Sequence, residues 1–398
     1  MTRLRTLDDL DVTNKRVLVR VDFNVPINDG LISNEARIKQ ALPTIVELLE
    51  RDARVILMSH LGRPEGIKVS GLSLRQIKNN LRNLLPNRDV IFVSDVIGKV
   101  PERAANNLEP GQVLLLENLR YEPGEETNDP MFAAKLAALA EIYVNDAFSC
   151  SHRVHASVHA VAAFLPSAAG RLMEMEIGVL SQVLDNPQSP IGAIIGGSKV
   201  STKLRVLKNL VTKVQYLVIG GAMANTFIYA QGNNVGKSFF EEGMKEVVDD
   251  ILLNAKKNGC EVIIPSDVIV ADVLEANTKT DNVVITEVPQ NKMILDIGPT
   301  SRNNIRQLCK YCRTIIWNGP LGAFETQPFD AGTISVANYV ADLTLNGDLI
   351  SVIGGGDTVT AIETAGLGAE FTYVSMAGGA FLEWLEGKKL PGVGVLES

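Results

Sequence analysis

Seven residues in the first half of the chain carry groups that could hold a small, charged ligand. Asp22, Asn24, His60, Arg63 and Arg120 each follow closely on a short run rich in Val, Ile or Leu, Arg37 opens a helical pattern, and Arg153 comes shortly after a fifth apolar run. Guanidinium forks match the oxygens of phosphate and carboxylate. A single arginine of this kind is commonly a surface ion pair, whereas recurrence after successive runs argues for one site holding a small, highly charged ligand. Asp22 and Asn24 are suited to orient a ligand hydroxyl. His60 reads either as part of that site or as a structural hydrogen-bonder, and no companion residue supports metal ligation.

The second half carries glycines in the corresponding places. Gly354-Gly355-Gly356-Asp357-Thr358 closes one apolar run and opens a helix. There backbone N–H groups can approach phosphate oxygens, Asp357 can hold Mg²⁺ and Thr358 can hydrogen-bond phosphate. Gly196-Gly197-Ser198-Lys199 is followed by Lys203, which predicts two ammonium groups on adjacent turns of one helix, with a solvated helix face as the plain alternative. Two familiar fingerprints do not fit. Gly232-Asn233-Asn234-Val235-Gly236-Lys237-Ser238 is one residue short of a Walker A loop and follows a helical pattern, so it reads as a connecting loop. No G-x-G-x-x-G opens a helix with an acidic residue about 20 positions on, which argues against a dinucleotide site.

These residues need a scaffold of parallel strands. RVLVRVDFNVP, RVILMSHLGRP, DVIFVSD, QVLLLENLR and EIYVNDAFS read as buried strands separated by helical stretches, an α/β pattern. In NEARIKQALPTIVELLERDA the helical period puts Ile38, Ala41, Leu42, Ile45, Val46 and Leu49 on one face, with Pro43 predicting a kink or a later start. A second series, from PIGAIIGGSK through QYLVIGGAMAN, EVIIPSDVIV, TIIWNGPLGAFE and LISVIGGGDT to FTYVSMAGGA, repeats the theme. The connection between the series falls near residues 172 to 188, where a helical pattern runs into a Pro-containing turn cluster.

The 398 residues suit two domains. A formal charge of −8 disfavours nucleic acid and anionic membranes, and no apolar run reaches the roughly 20 residues of a membrane span. The start MTRLRTLDDLD lacks the apolar region of a signal peptide, so the expected compartment is the cytoplasm. Cys309 and Cys312 have C-x-x-C spacing but supply only two zinc ligands, and read as ordinary partly buried thiols.

Arg20-Val21-Asp22-Phe23-Asn24-Val25-Pro26 resembles the signature of the phosphoglycerate kinase family. SHLGRP at 59 to 64, ENLRYEPGEE at 117 to 126, HRVHAS at 152 to 157, GGSKVSTK, WNGPLGAFE and IGGGDT match further family motifs, in order, over essentially the whole chain. The resemblance implies an α/β fold of two similar-sized domains, each a parallel sheet flanked by helices, with a cleft and hinge between them. Residues 1–172, joined by a returning segment 387–398, would bind phosphoglycerate, 173–188 would form the interdomain helix, and 189–386 would bind nucleotide. The implied substrate set is Asp22, Phe23, Asn24, Arg37, His60, Leu61, Gly62, Arg63, Arg120 and Arg153. The implied nucleotide set is Gly197, Lys199, Lys203, Gly221, Asn318, Pro320, Glu325, Gly355, Gly356, Asp357 and Thr358, with Asp357 on Mg²⁺ and Arg37, Lys203, Gly355 and Gly378 at the transferring group.

The implied reaction is reversible phosphoryl transfer between 1,3-bisphosphoglycerate and ADP, giving 3-phosphoglycerate and ATP, by a monomeric enzyme whose cleft closes on its substrates. A non-catalytic nucleotide-binding regulator and another carboxylate phosphotransferase are the rival readings. Departures from the family pattern are Val154 for a usual Ala, Thr202 for a usual Asp, and Met376-Ala377 for a usual Thr-Gly, where Ala377 would restrict close approach of the backbone to an anion.

Overall fold

In the run Arg16–Arg20 every residue after the first is buried, the pattern of a strand covered on both faces. A computed structural model describes residues 3–28 and 30–398. Contacts divide the chain into two units, Met1–Gly178 together with Lys389–Ser398, and Val179–Lys388.

The first unit is built on a sheet of six strands: β1 (Arg16–Arg20), β2 (Arg54–Met58), β3 (Val90–Phe92), β4 (Val113–Leu115), β5 (Ile142–Asn145) and β6 (Ser167–Ala169). Their order is β3-β4-β2-β1-β5-β6, all parallel. The first five coincide with the apolar runs of the sequence; β6 does not, because its three small residues carry no β-branched signal. The helix Ala36–Glu50 continues through Pro43 and starts no later for it. Its buried face is Ile38, Ala41, Thr44, Ile45, Leu48 and Leu49. Leu42 and Val46, expected inside, are partly and largely exposed, because the packed stripe is rotated toward Thr44 and Leu48.

The second unit repeats the plan with β7 (Ile191–Ile195), β8 (Tyr216–Ile219), β9 (Glu261–Ile263), β10 (Asp267–Ala271), β11 (Asp281–Val284), β12 (Met293–Ile297), β13 (Thr314–Asn318), β14 (Ile350–Gly354) and β15 (Tyr373–Ser375). The parallel sheet has the order β9-β8-β7-β13-β14-β15. EVIIPSDVIV, read as one strand, is two. Pro265 and Ser266 break it, sending β9 into the parallel sheet and β10 into a separate antiparallel sheet ordered β11-β10-β12. Cys309 and Cys312 are buried in this unit's core, and burial pushes both thiols up, Cys312 to about 12. Such thiols are protonated and inert.

Candidate functional site

Ligands in open parallel sheets bind beyond the carboxyl ends of the strands, where the strand order reverses. In the first sheet this point lies between β1, from which the chain moves to β2, and β5, which returns on the other side of β1. Asp22 follows β1 and Ser149 follows β5, and the fold joins them: Ser149 Oγ donates to Asp22 Oδ2 at 2.5 Å. The same oxygen accepts from Arg37 Nη1 at 2.6 Å, and Asp22 Oδ1 accepts from the Asn24 N–H at 3.0 Å. Burial pushes the Asp22 carboxyl up, but the neighbouring His60, Arg37 and Arg20 side chains and the Ser149 hydroxyl hold it below its ordinary value. Asp22 is therefore an ionised anchor for Arg37.

The neighbouring loops are tied in by the same chemistry. Asn24 Oδ1 accepts from the Gly62 N–H at 2.9 Å, and the Gly62 carbonyl accepts from Arg120 Nη1 at 2.6 Å. Arg120 Nε lies 3.1 Å from Glu126 Oε1. Arg153 is half-buried, its Nε donating to His152 Nε2 at 3.3 Å. Arg63 is exposed and has no side-chain partner among the described residues. Phe23 and Leu61 are core side chains, with N–H groups donating to Ser59 Oγ at 2.8 Å and Asn118 Oδ1 at 3.2 Å. They shape the loops from within.

Three residues of this site were not singled out from the sequence: Arg20, Ser149 and Cys150. Contrary to the expectation that His60 stands without companions, Asp22, His60 and Cys150 bring potential ligand atoms within 4.8 Å of one another. The place among them is taken by Arg20, whose Nη2 lies 3.1 Å from His60 Nδ1 and 3.6 Å from Cys150 Sγ. A guanidinium is already the cation here. The only signal in the sequence was a charge ending an otherwise apolar strand.

In the second parallel sheet the order reverses between β7 and β13. Lys203 binds both strand ends: its Nζ donates to Gly196 O at 2.7 Å, Asn318 O at 3.2 Å and Asn318 Oδ1 at 2.6 Å. Burial lowers its pKa to about 8, with Asp357 opposing. Asn318 Nδ2 donates to Gly354 O at 2.8 Å, so this side chain ties β13 to β14 and, through Lys203, to the end of β7. Lys199 is not on the helix with Lys203. It is the extended residue preceding Val200–Leu210, where the Thr202 hydroxyl donates to its carbonyl at 2.8 Å.

The glycines here serve packing as well as any ligand. A Cβ on Gly196 would lie 1.9 Å from Pro320 O, and one on Gly221 2.7 Å from Gly197 O. Three strand-end loops thus touch backbone to backbone. Gly355, at φ +98°, meets Asn318, since an added Cβ would sit 2.5 Å from Asn318 Nδ2. Gly356 and Gly378 face open space. Thr358, expected to bind phosphate, is fully buried, and its hydroxyl accepts from the Gly319 N–H at 2.6 Å. Asp357 beside it is exposed in the first turn of Gly356–Thr364. Ala377 is buried, its N–H donating to Ser375 Oγ at 3.3 Å, so its methyl belongs to the interior.

Gly197, Gly221, Pro320, Glu325 and Asp357 line a cavity of about 360 Å³ that extends between apolar walls, including Phe239, Met293, Leu295 and Phe324. Most of that wall comes from the antiparallel sheet and the segment after β13. The arrangement offers a polar, helix-terminated end for anionic groups and an apolar slot for a planar one.

A doubly wound sheet in each of two units, each with a cluster of polar groups at the reversal of strand order, defines an α/β protein with two candidate small-ligand sites. Residues 7–388 match the family described as phosphoglycerate kinase. The chain is 52% identical over 394 residues to the phosphoglycerate kinase of Granulibacter bethesdensis, covering 99% of both, and 51% identical over 392 residues to that of Ruegeria pomeroyi, covering 98% of both. The phosphoglycerate kinase structure from Coxiella burnetii superposes with a TM-score of 0.91 at 40% identity, covering 99% of both chains, and that from Pyrococcus horikoshii with 0.82 at 30%, covering 99% of this chain and 98% of the other. The chain belongs to the phosphoglycerate kinase family.

Proposed function

We propose that the protein is an active phosphoglycerate kinase, catalysing reversible phosphoryl transfer from 1,3-bisphosphoglycerate to MgADP to give 3-phosphoglycerate and MgATP, as used in glycolysis and gluconeogenesis. The observation that carries this reading is the end-to-end match to curated phosphoglycerate kinases in a chain that keeps Arg37, Lys203 and Asp357. The first unit's arginines, with His60 and Asn24, hold the phosphoglycerate; the cavity of the second unit holds the nucleotide.

The accepting group of 3-phosphoglycerate is a carboxylate, ionised near neutral pH because such acids have pKa values of roughly 3 to 4. No general base is required. What remains is alignment of the two substrates and neutralisation of charge on the transferring phosphoryl group. Arg37, held by Asp22, and Lys203, held by Asn318, supply that charge, and backbone N–H groups near Gly355 and Gly378 add to it. The exposed Asp357 carboxylate has no ion pair among the described residues and fits a hard divalent cation. Magnesium bound there would offset the negative charge of the nucleotide phosphates.

Among the described residues no helix is long and apolar enough to cross a membrane; a monomer in the cytoplasm is our working picture. The reading is tested in a coupled assay with MgATP and 3-phosphoglycerate. Arg37→Ala and Lys203→Ala should each lower kcat on the order of 10² to 10³. Wild-type protein that binds nucleotide without turnover would overturn it.

A further inference from the structure

His60 sits in the first unit's strand-end site with one nitrogen spoken for. Its Nδ1 lies 3.1 Å from Arg20 Nη2 and 3.9 Å from Asp22 Oδ1, and Nε2 has no partner among the described residues. Guanidinium nitrogens only donate. A hydrogen bond from Arg20 therefore requires a bare lone pair on Nδ1, which moves the ring proton to Nε2. Arg20 is itself held on three sides: its Nε donates to Ser157 Oγ at 2.9 Å, its Nη1 donates to the Val21 carbonyl, and its Nη2 also approaches Cys150 Sγ at 3.6 Å. Ser157 in turn donates to the buried Glu125, through its hydroxyl at 2.6 Å and its N–H at 2.9 Å. The guanidinium cannot turn away without leaving several buried groups unpaired.

We propose that Arg20 is a positioning residue for phosphoglycerate binding, fixing His60 as a neutral imidazole with its proton on Nε2, so that the ring presents a hydrogen-bond donor to the anion. This deepens the kinase reading and rests on it for the identity of the anion. Burial is the main force against a cationic imidazole; of the charged groups facing the ring, Asp22 favours the cation, and Arg20, Arg120 and Arg153 oppose it. The balance keeps the imidazole well below its ordinary 6.5. A ring that donates while neutral keeps its charge on either side of pH 6.5 and adds no pH dependence of its own to anion binding, which a titrating histidine would.

The test begins with the wild-type protein. Nitrogen NMR of the side chain, assigned with His60→Gln among the four histidines, should show a protonated Nε2, a bare Nδ1 and no titration between pH 5.5 and 8. A proton on Nδ1, or titration near pH 6.5, overturns the proposal whether or not the protein is a kinase. In Arg20→Gln, confirmed as folded by its far-UV signal, His60 should populate both tautomers and titrate, and the KM for 3-phosphoglycerate should rise roughly tenfold, with the KM for MgATP unchanged. An Arg20→Gln protein whose His60 keeps the wild-type tautomer and whose KM for 3-phosphoglycerate matches wild type at each pH would also overturn it. Wild-type protein showing the expected tautomer but no turnover would instead count against the kinase reading alone.

Discussion

Lys203 shows how far a single side chain is determined by its surroundings. Its ammonium has three acceptors, two of them on Asn318, and burial brings its pKa down to about 8. A cation required for transfer is charged below that value and lost above it, so kcat/KM, which reports the free enzyme, should fall as pH rises through about 8. Asn318→Asp would place a carboxylate against the ammonium, favour its charged form and move the alkaline limb of the kcat/KM profile upward. A pH–rate profile for wild type and variant checks this, and an unmoved limb would show that Lys203 ionisation does not control the rate.

At the scale of elements, the start of the helix Arg171–Leu184 depends on residues from elsewhere. Asp146 Oδ1 accepts from the N–H groups of Leu172 at 2.9 Å and Met173 at 3.3 Å, and Thr44 Oγ1 accepts from the Arg171 N–H at 2.7 Å. The helix thus borrows its N-cap from the loop after β5. Full burial raises the Asp146 carboxyl from 3.8 to about 7, with the cap hydrogen bonds opposing. The folded state therefore holds this proton more tightly than the unfolded chain. The stabilisation is complete below about 3.8 and is lost as pH rises through about 7. Asp146→Asn keeps a carbonyl acceptor without the charge, so its melting temperature should decline less than that of wild type between pH 5 and 8, measured by thermal denaturation. Gly170→Ala should destabilise strongly, since its Cβ would lie 2.2 Å from Asp146 Oδ1.

At the scale of the molecule, the chain passes from the first unit to the second within that helix and returns at Lys389. The returning segment is integral to the first unit. Leu390, Val393 and Leu396 are buried, the Gly392 N–H donates to Ser151 O at 2.9 Å, and the Arg5 N–H donates to Leu396 O at 3.0 Å. Burying three such side chains is worth on the order of 5 kcal/mol. Removing residues 389–398 should therefore raise hydrogen exchange across β1, β5 and β6 well before it affects β7, β13 and β14. Equal loss of protection in both units would show that the two do not unfold separately.

Local patterning determined much of this protein. Fully apolar runs bounded by Gly, Asp, Asn or His mark buried parallel strands because such strands are covered on both faces, and residues just past them must lie at strand ends, so Asp22, His60, Arg120 and Asp357 were visible as candidates without coordinates. Pairing was not visible. Which strands are neighbours, and hence where the order reverses, depends on contacts between distant segments, and only the sheet order joined Asp22 to Ser149 or Lys203 to Asn318. The antiparallel sheet behind the cavity was not visible either: its central strand was hidden in a run that reads as a single strand, and its two outer strands lie beyond that run. Arg20 illustrates the same limit: its role is set by Ser157, 137 residues away, because a buried charge is defined by the partners that tertiary structure brings to it.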